Sequence, residues 1–219
     1  MSDVRAMRVR QWALEGVRDY LAAIQEQEAF VRGPRVERGQ LYDAQIRIAR
    51  LKRLRGDVSG ARKALAKIKF SHEYWASCWI AEASRIYLTT GDSVRVKELT
   101  RVLLARAQEK LDLRNVIGAL EAAAIRADQT LADNYIVEVM RLSAIETQDI
   151  PAWRYKVATS LAELGRSDDA FQWLELARAY GGPESSETDP CIAQEFHSLR
   201  KMAKFGEIWG NCQSTTSTM

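Results

Sequence analysis

Cys78, Cys191, Cys212, His72 and His197 are the residues of this chain to ask first about nucleophilic or metal chemistry. Cys191 and His197 stand six residues apart, which is not the spacing of one helical face, and nothing nearby would orient an imidazole base. No thiol–imidazole pair is expected. The cysteines are odd in number, widely spaced and without a Cys-x-x-Cys or a histidine-rich companion, so the reading is three reduced thiols with neither a disulfide framework nor a zinc site. Phosphate-cradling glycine loops, the nucleophile-elbow motif, the zinc-protease helix motif and a calcium loop are all missing from the sequence. Asp168-Asp169, the one adjacent acid pair of the last repeat, sits where a helix N-terminus favours negative charge, with Ser167 as its cap. The chain is therefore read as having no catalytic residue, no metal site and no cofactor.

Binding chemistry is better supplied. Residues 1–70 hold 16 Lys/Arg against 8 Asp/Glu, and residues 71–219 hold 16 against 21, so the front carries +8 and the remainder −5. An acidic partner for the front, end-to-end self-association or plain solvation all follow from that polarity. The run Arg47, Arg50, Lys52, Arg53, Arg55, Arg62, Lys63, Lys67 and Lys69 could meet phosphates. Aromatic residues do not interleave with these cations and the isoelectric point of about 8.8 is not extreme, so nucleic acid ranks behind protein as a partner.

The elements that must position these residues are helical. Prolines and glycines are few, no β-branched run alternates cleanly, and 47% of the chain is hydrophobic with 28% charged. No apolar stretch approaches membrane-spanning length and Met-Ser-Asp-Val-Arg opens no signal-peptide core, from which a cytoplasmic setting without membrane insertion is expected. Arg55-Gly56-Asp57, Thr90-Gly91-Asp92 and Leu164-Gly165-Arg166 punctuate amphipathic sequence as helix-turn-helix turns. The first two glycines are 35 residues apart and the last two 74, room for one further degenerate repeat whose break falls near Asp128-Gln129.

The expected organisation is one all-α domain over residues 1–210: antiparallel hairpins stacked as a short right-handed α-solenoid. Residues 1–33 form an N-terminal helix with Met7, Leu14, Val17, Leu21, Ile24 and Val31 along its seam, which either caps the first hairpin or pairs with a second copy of the chain. About four hairpins occupy 40–182, and 183–210 supplies capping helices through Ile192, Phe196, Leu199, Met202, Phe205 and Trp209. Residues 211–219 are a polar tail expected to be disordered. Trp75, Trp79, Trp153 and Trp173 fall at packing positions and are read as core.

Counted from Tyr42, Ser77 and Pro151, the small, large and small positions of a hairpin are Ala49, Lys52 and Ala61, then Ser84, Tyr87 and Val96, then Ala158, Leu161 and Ala170. On these positions and the Gly-Asp turns, residues 40–182 resemble a divergent tetratricopeptide-repeat protein; Lys52 and Val96 depart from the usual aromatic and alanine. The resemblance implies a groove lined by Ile46, Arg50 and Arg53, by Ala81, Arg85 and Leu88, and by Tyr155, Thr159 and Glu163. Arg50, Arg53, Arg85, Leu88, Tyr155 and Thr159 are the partner-binding candidates, and guanidinium forks suit an acidic or C-terminal peptide. Ile46 and Arg50 stand where the chaperone-tail clamp of that family carries Lys and Asn, so chaperone tails are not the expected ligand. A non-catalytic adaptor, scaffold or chaperone-like module is the expected function, with nucleic-acid binding through the basic front as the alternative.

Overall fold

The computed structural model describes residue 14 and residues 19–33, 38–68, 77–144, 151–179, 190–191, 194–210 and 212. Among the described residues it is all helical, with ten α-helices: α1 (Tyr20–Val31), α2 (Arg38–Leu54), α3 (Val58–Leu65), α4 (Ser77–Thr89), α5 (Ser93–Glu109), α6 (Leu113–Ile125), α7 (Gln129–Ser143), α8 (Pro151–Glu163), α9 (Ser167–Ala179) and α10 (Ala203–Trp209), with two 3-10 turns, Gln194–Phe196 and Leu199–Lys201, before the last. The chain divides into two compact units, residues 1–99 and 100–219.

Four turns of one construction join the hairpins. After α2 the Gly56 N–H donates to the Arg53 carbonyl and the Asp57 N–H to the Lys52 carbonyl, the paired bonds of a Schellman motif. The same two bonds recur at Gly91 and Asp92, at Ala127 and Asp128, and at Gly165 and Arg166. Each closing residue takes the left-handed conformation: Gly56 at φ 79°, Gly91 at 74°, Ala127 at 54° and Gly165 at 75°. The spacings between these four positions are 35, 36 and 38 residues. The break expected near Asp128-Gln129 is thus a fourth such turn, with alanine holding a conformation that ordinarily favours glycine. In the first three, the next residue is an aspartate that starts the following helix: Asp57 accepts from the Gly60 N–H at 2.8 Å, Asp92 from Arg95 at 3.2 Å and Asp128 from Leu131 at 3.0 Å. At the fourth turn Arg166 stands in that place, Ser167 is already inside the helix, and Asp169 receives the Arg166 guanidinium at 2.8 Å instead.

The repeat positions are buried wherever small residues must let helices approach. Ala49 and Ala61, Ser84, Tyr87 and Val96, and Ala158, Leu161 and Ala170 are all buried, as are Leu120, Ala123 and Ala132, which stand at the same offsets from Ala127. In residues 1–99, α1 packs on α2, α2 on α3, and α4 on both. In residues 100–219, α6 packs on α7, α8 on α6 and α9, and α10 on α9. The packed pairs are one or two helices apart in sequence, as a helical repeat requires.

Several expectations need correction. The N-terminal helix is not continuous from Asp3 to Val31: Asp19, at ψ 65°, leaves the helical region and caps α1 through the Ala22 N–H at 3.0 Å. Ile24 faces inward as expected, but Leu21 is half exposed, and Ala23 and Gln27 are buried beside Ile24. Glu28 reaches Lys52 at 3.6 Å, so α1 docks on the first hairpin, and Lys52 replaces the usual aromatic at a place where a carboxylate meets it. Met202 points outward, and Ile208 takes the inward position beside Phe205. Cys191 and Cys212 are joined by a disulfide, not reduced thiols; the terminal segment folds back far enough to bring together residues 21 apart in sequence. His72 and Trp75 lie outside the described residues.

Candidate functional site

In a hairpin array the first helices of successive repeats form one face, here α2 and α4 in the first unit and α6 and α8 in the second. Both faces are crossed by an ion pair between neighbouring repeats. Arg53 on α2 donates through Nε at 3.1 Å and Nη2 at 2.9 Å to Glu82 Oε1 on α4. Lys156 Nζ on α8 stands 3.6 Å from the buried carboxylate of Glu121 on α6. A second kind of pair ties each hairpin to the next turn: Arg62 to Asp92 at 3.9 Å in the first unit, and Asp133 to Arg166 in the second. Arg62 and Asp133 stand six residues after their turn residues, and Asp92 and Arg166 one residue after theirs. The two units thus use the same repeat positions with the signs exchanged. Gln129 Nε2 adds a bond of 2.9 Å to the Leu164 carbonyl.

Of the six candidate groove residues, only Leu88 faces solvent, at 52% exposure. Arg50, Arg53 and Arg85 are buried at 5 to 8% exposure. This is a correction with a definite cause. The fork of Arg53 is occupied by Glu82, so an external carboxylate could reach it only by displacing one already in place. Tyr155 is completely buried, its ring edge-on to Trp209 at 5.7 Å. Thr159 is buried as well and turns its hydroxyl back to the Tyr155 carbonyl at 2.7 Å. Tyr155 and Thr159 belong to the second unit and the three arginines to the first.

Four exposed cations cluster around the first turn and the helix after it: Arg55 at the turn, Arg62 and Lys63 on α3, and Lys67 just beyond it; Arg32, Arg95 and Lys97 of the same unit also face solvent. Arg47, by contrast, lays its guanidinium over the Trp79 ring at 5.4 Å. Beside the second turn, burial raises the Tyr87 phenol above its usual value; Arg95 opposes that shift and Asp92 adds to it. Trp153 and Trp173 pack edge to face at 5.5 Å, as expected of core.

Glu82, Glu121 and Lys156 were not singled out from the sequence. Their one signal is a charged residue within an otherwise apolar stretch of helix, Ala81 and Ala83 flanking Glu82 and Leu120 and Ala122 flanking Glu121. Cys191 is held by Cys212 and is no nucleophile for His197, which is exposed. Among the described residues no group of three or more His, Cys, Asp or Glu is placed to hold a metal, and no helix is long and apolar enough to cross a membrane. No family model, no curated protein and no solved structure matches the chain. Its function must be argued from the repeats and their surfaces.

Proposed function

We propose that this is a non-catalytic protein-interaction module, an adaptor, scaffold or chaperone-like protein of tetratricopeptide-like hairpins that holds a segment of a partner protein. The observation that carries the reading is the fourfold turn at 35-, 36- and 38-residue spacing, because arrays of helical hairpins offer long continuous faces suited to extended or helical segments. Burial of Arg50, Arg53 and Arg85 moves the accessible contacts of the first unit to Leu88 and to the exposed cations Arg55, Arg62, Lys63 and Lys67, which suit an acidic partner. Docking of α1 on α2 supports its role as a cap more than as a dimerisation helix. A cytoplasmic setting belongs to the same proposal.

Those four exposed cations also favour a second reading, contact with nucleic-acid phosphates. Affinity capture from native lysate, split into nuclease-treated and untreated halves, separates the two. One or two proteins recovered in both halves support the module reading; loss of all bound material after nuclease replaces it with nucleic-acid binding.

A further inference from the structure

We infer that Cys191 and Cys212 form a site of thiol–disulfide exchange that clasps and releases the C-terminal segment over Tyr155. The loop closed by this bond contains the two 3-10 turns and α10, and no other helix of the unit. That segment covers the last hairpin. Its own Phe196, Leu199, Phe205 and Ile208 are buried, its Trp209 meets the Tyr155 ring, its Lys204 lies over the Phe171 ring at 5.3 Å, and its Arg200 donates to the Pro190 carbonyl at 2.9 Å.

The covering depends on its tether. With seven residues and no side-chain bond at its N-cap, α10 is shorter than a helix that persists alone in water. Both cysteines are only partly buried, so a small thiol can reach them. A thiolate of an external dithiol attacks one sulfur, breaks the S–S bond and forms a mixed disulfide with that cysteine. The second thiolate of the reductant then displaces the cysteine, leaving two protein thiols and an oxidised, cyclic disulfide reductant; each released thiolate takes one of the two protons the dithiol gave up. In a reducing compartment such pairs are characteristically redox-sensing, which reconciles this bond with the cytoplasmic setting proposed above. Release would uncover Tyr155, one of the residues that the repeat pattern places on a partner-facing position. The inference goes beyond the interaction-module reading, and its test requires no partner.

The test is hydrogen exchange with mass spectrometry on the full chain, air-oxidised and dithiol-treated, alongside the Cys212→Ser variant. Alkylation of the oxidised protein should label neither Cys191 nor Cys212. On reduction, amides from Phe205 to Gly210 should exchange about a hundredfold faster, equivalent to about 3 kcal/mol at 1.4 kcal/mol per decade, the loss expected for a loop of this length. Amides of Leu113–Ile125 should keep their protection, and Cys212→Ser should match the reduced protein without reductant. Alkylation of Cys191 and Cys212 in the oxidised protein would overturn the inference, as would unchanged exchange in α10. Equal acceleration through Leu113–Ile125 would also overturn it, by making the bond a staple of the whole unit.

Discussion

Replacing Arg53 by methionine tests whether its guanidinium is part of the interior or of a binding surface. Its side chain is 7% exposed and that of Glu82 11%, and both Arg53 donors converge on one carboxylate oxygen. Removing the cation leaves Glu82 charged and desolvated, which costs about 3 to 5 kcal/mol, whereas exchanging both partners for apolar residues of similar volume is close to neutral or stabilising. Arg53→Met and Glu82→Leu should each lower the urea midpoint of the full chain, followed by far-ultraviolet circular dichroism. The double variant should recover most of the loss, giving a coupling energy of about 2 kcal/mol or more, within the range for residues in contact. For the same reason, reversing Arg50, Arg53 and Arg85 to glutamate together should unfold the first unit, since Arg53→Glu would set a second buried carboxylate against Glu82. A single Arg53→Met variant within about 0.5 kcal/mol of the parent, the tolerance of an exposed site, would refute the reasoning.

Two further outcomes follow from the turns. Ala127→Gly should stabilise the protein by up to about 1 kcal/mol, because a left-handed alanine costs about 1 to 2 kcal/mol and glycine returns part of that as chain entropy; a loss of stability in the same urea titration would show that Ala127 is not strained. Asp112→Ala should cost about 1 kcal/mol at neutral pH through loss of the cap to the Asn115 N–H at 2.9 Å. Burial alone would raise the Asp112 carboxyl, but Lys110 at 2.9 Å and the Asn115 N–H outweigh it and the net shift is downward. A carboxyl lowered on folding contributes stability above its unfolded value and loses it as pH falls through its folded value. The gap between variant and parent should therefore close below about pH 4 and not at neutral pH.

The architecture was legible because its punctuation is local. Glycine at a turn fixes a left-handed residue, and twice the aspartate after it fixes a helix start; three of the four turns could be found from their glycine. The fourth carries Ala127, but the capping aspartates Asp57, Asp92 and Asp128 keep the same 35- and 36-residue spacing. That second signal agrees with the break expected near Asp128-Gln129. The candidate binding face was less legible, since helical periodicity tells which residues share a face and not what lies on it. Arg53 is buried because of Glu82, 29 residues away, and Tyr155 because a segment more than 40 residues downstream folds back over it. The disulfide is of the same kind: no spacing rule pairs Cys191 with Cys212, and only the return of α10 brings them together.

An exposed surface of these hairpins is proposed to hold a partner protein. The most direct measurement is calorimetric titration of the purified captured partner into the parent and into the Leu88→Asp, Arg55→Glu double variant, with the melting temperature of each protein determined alongside. Binding by the parent and loss of binding by the variant at an unchanged melting temperature is the predicted result; equal affinity for both would contradict the account.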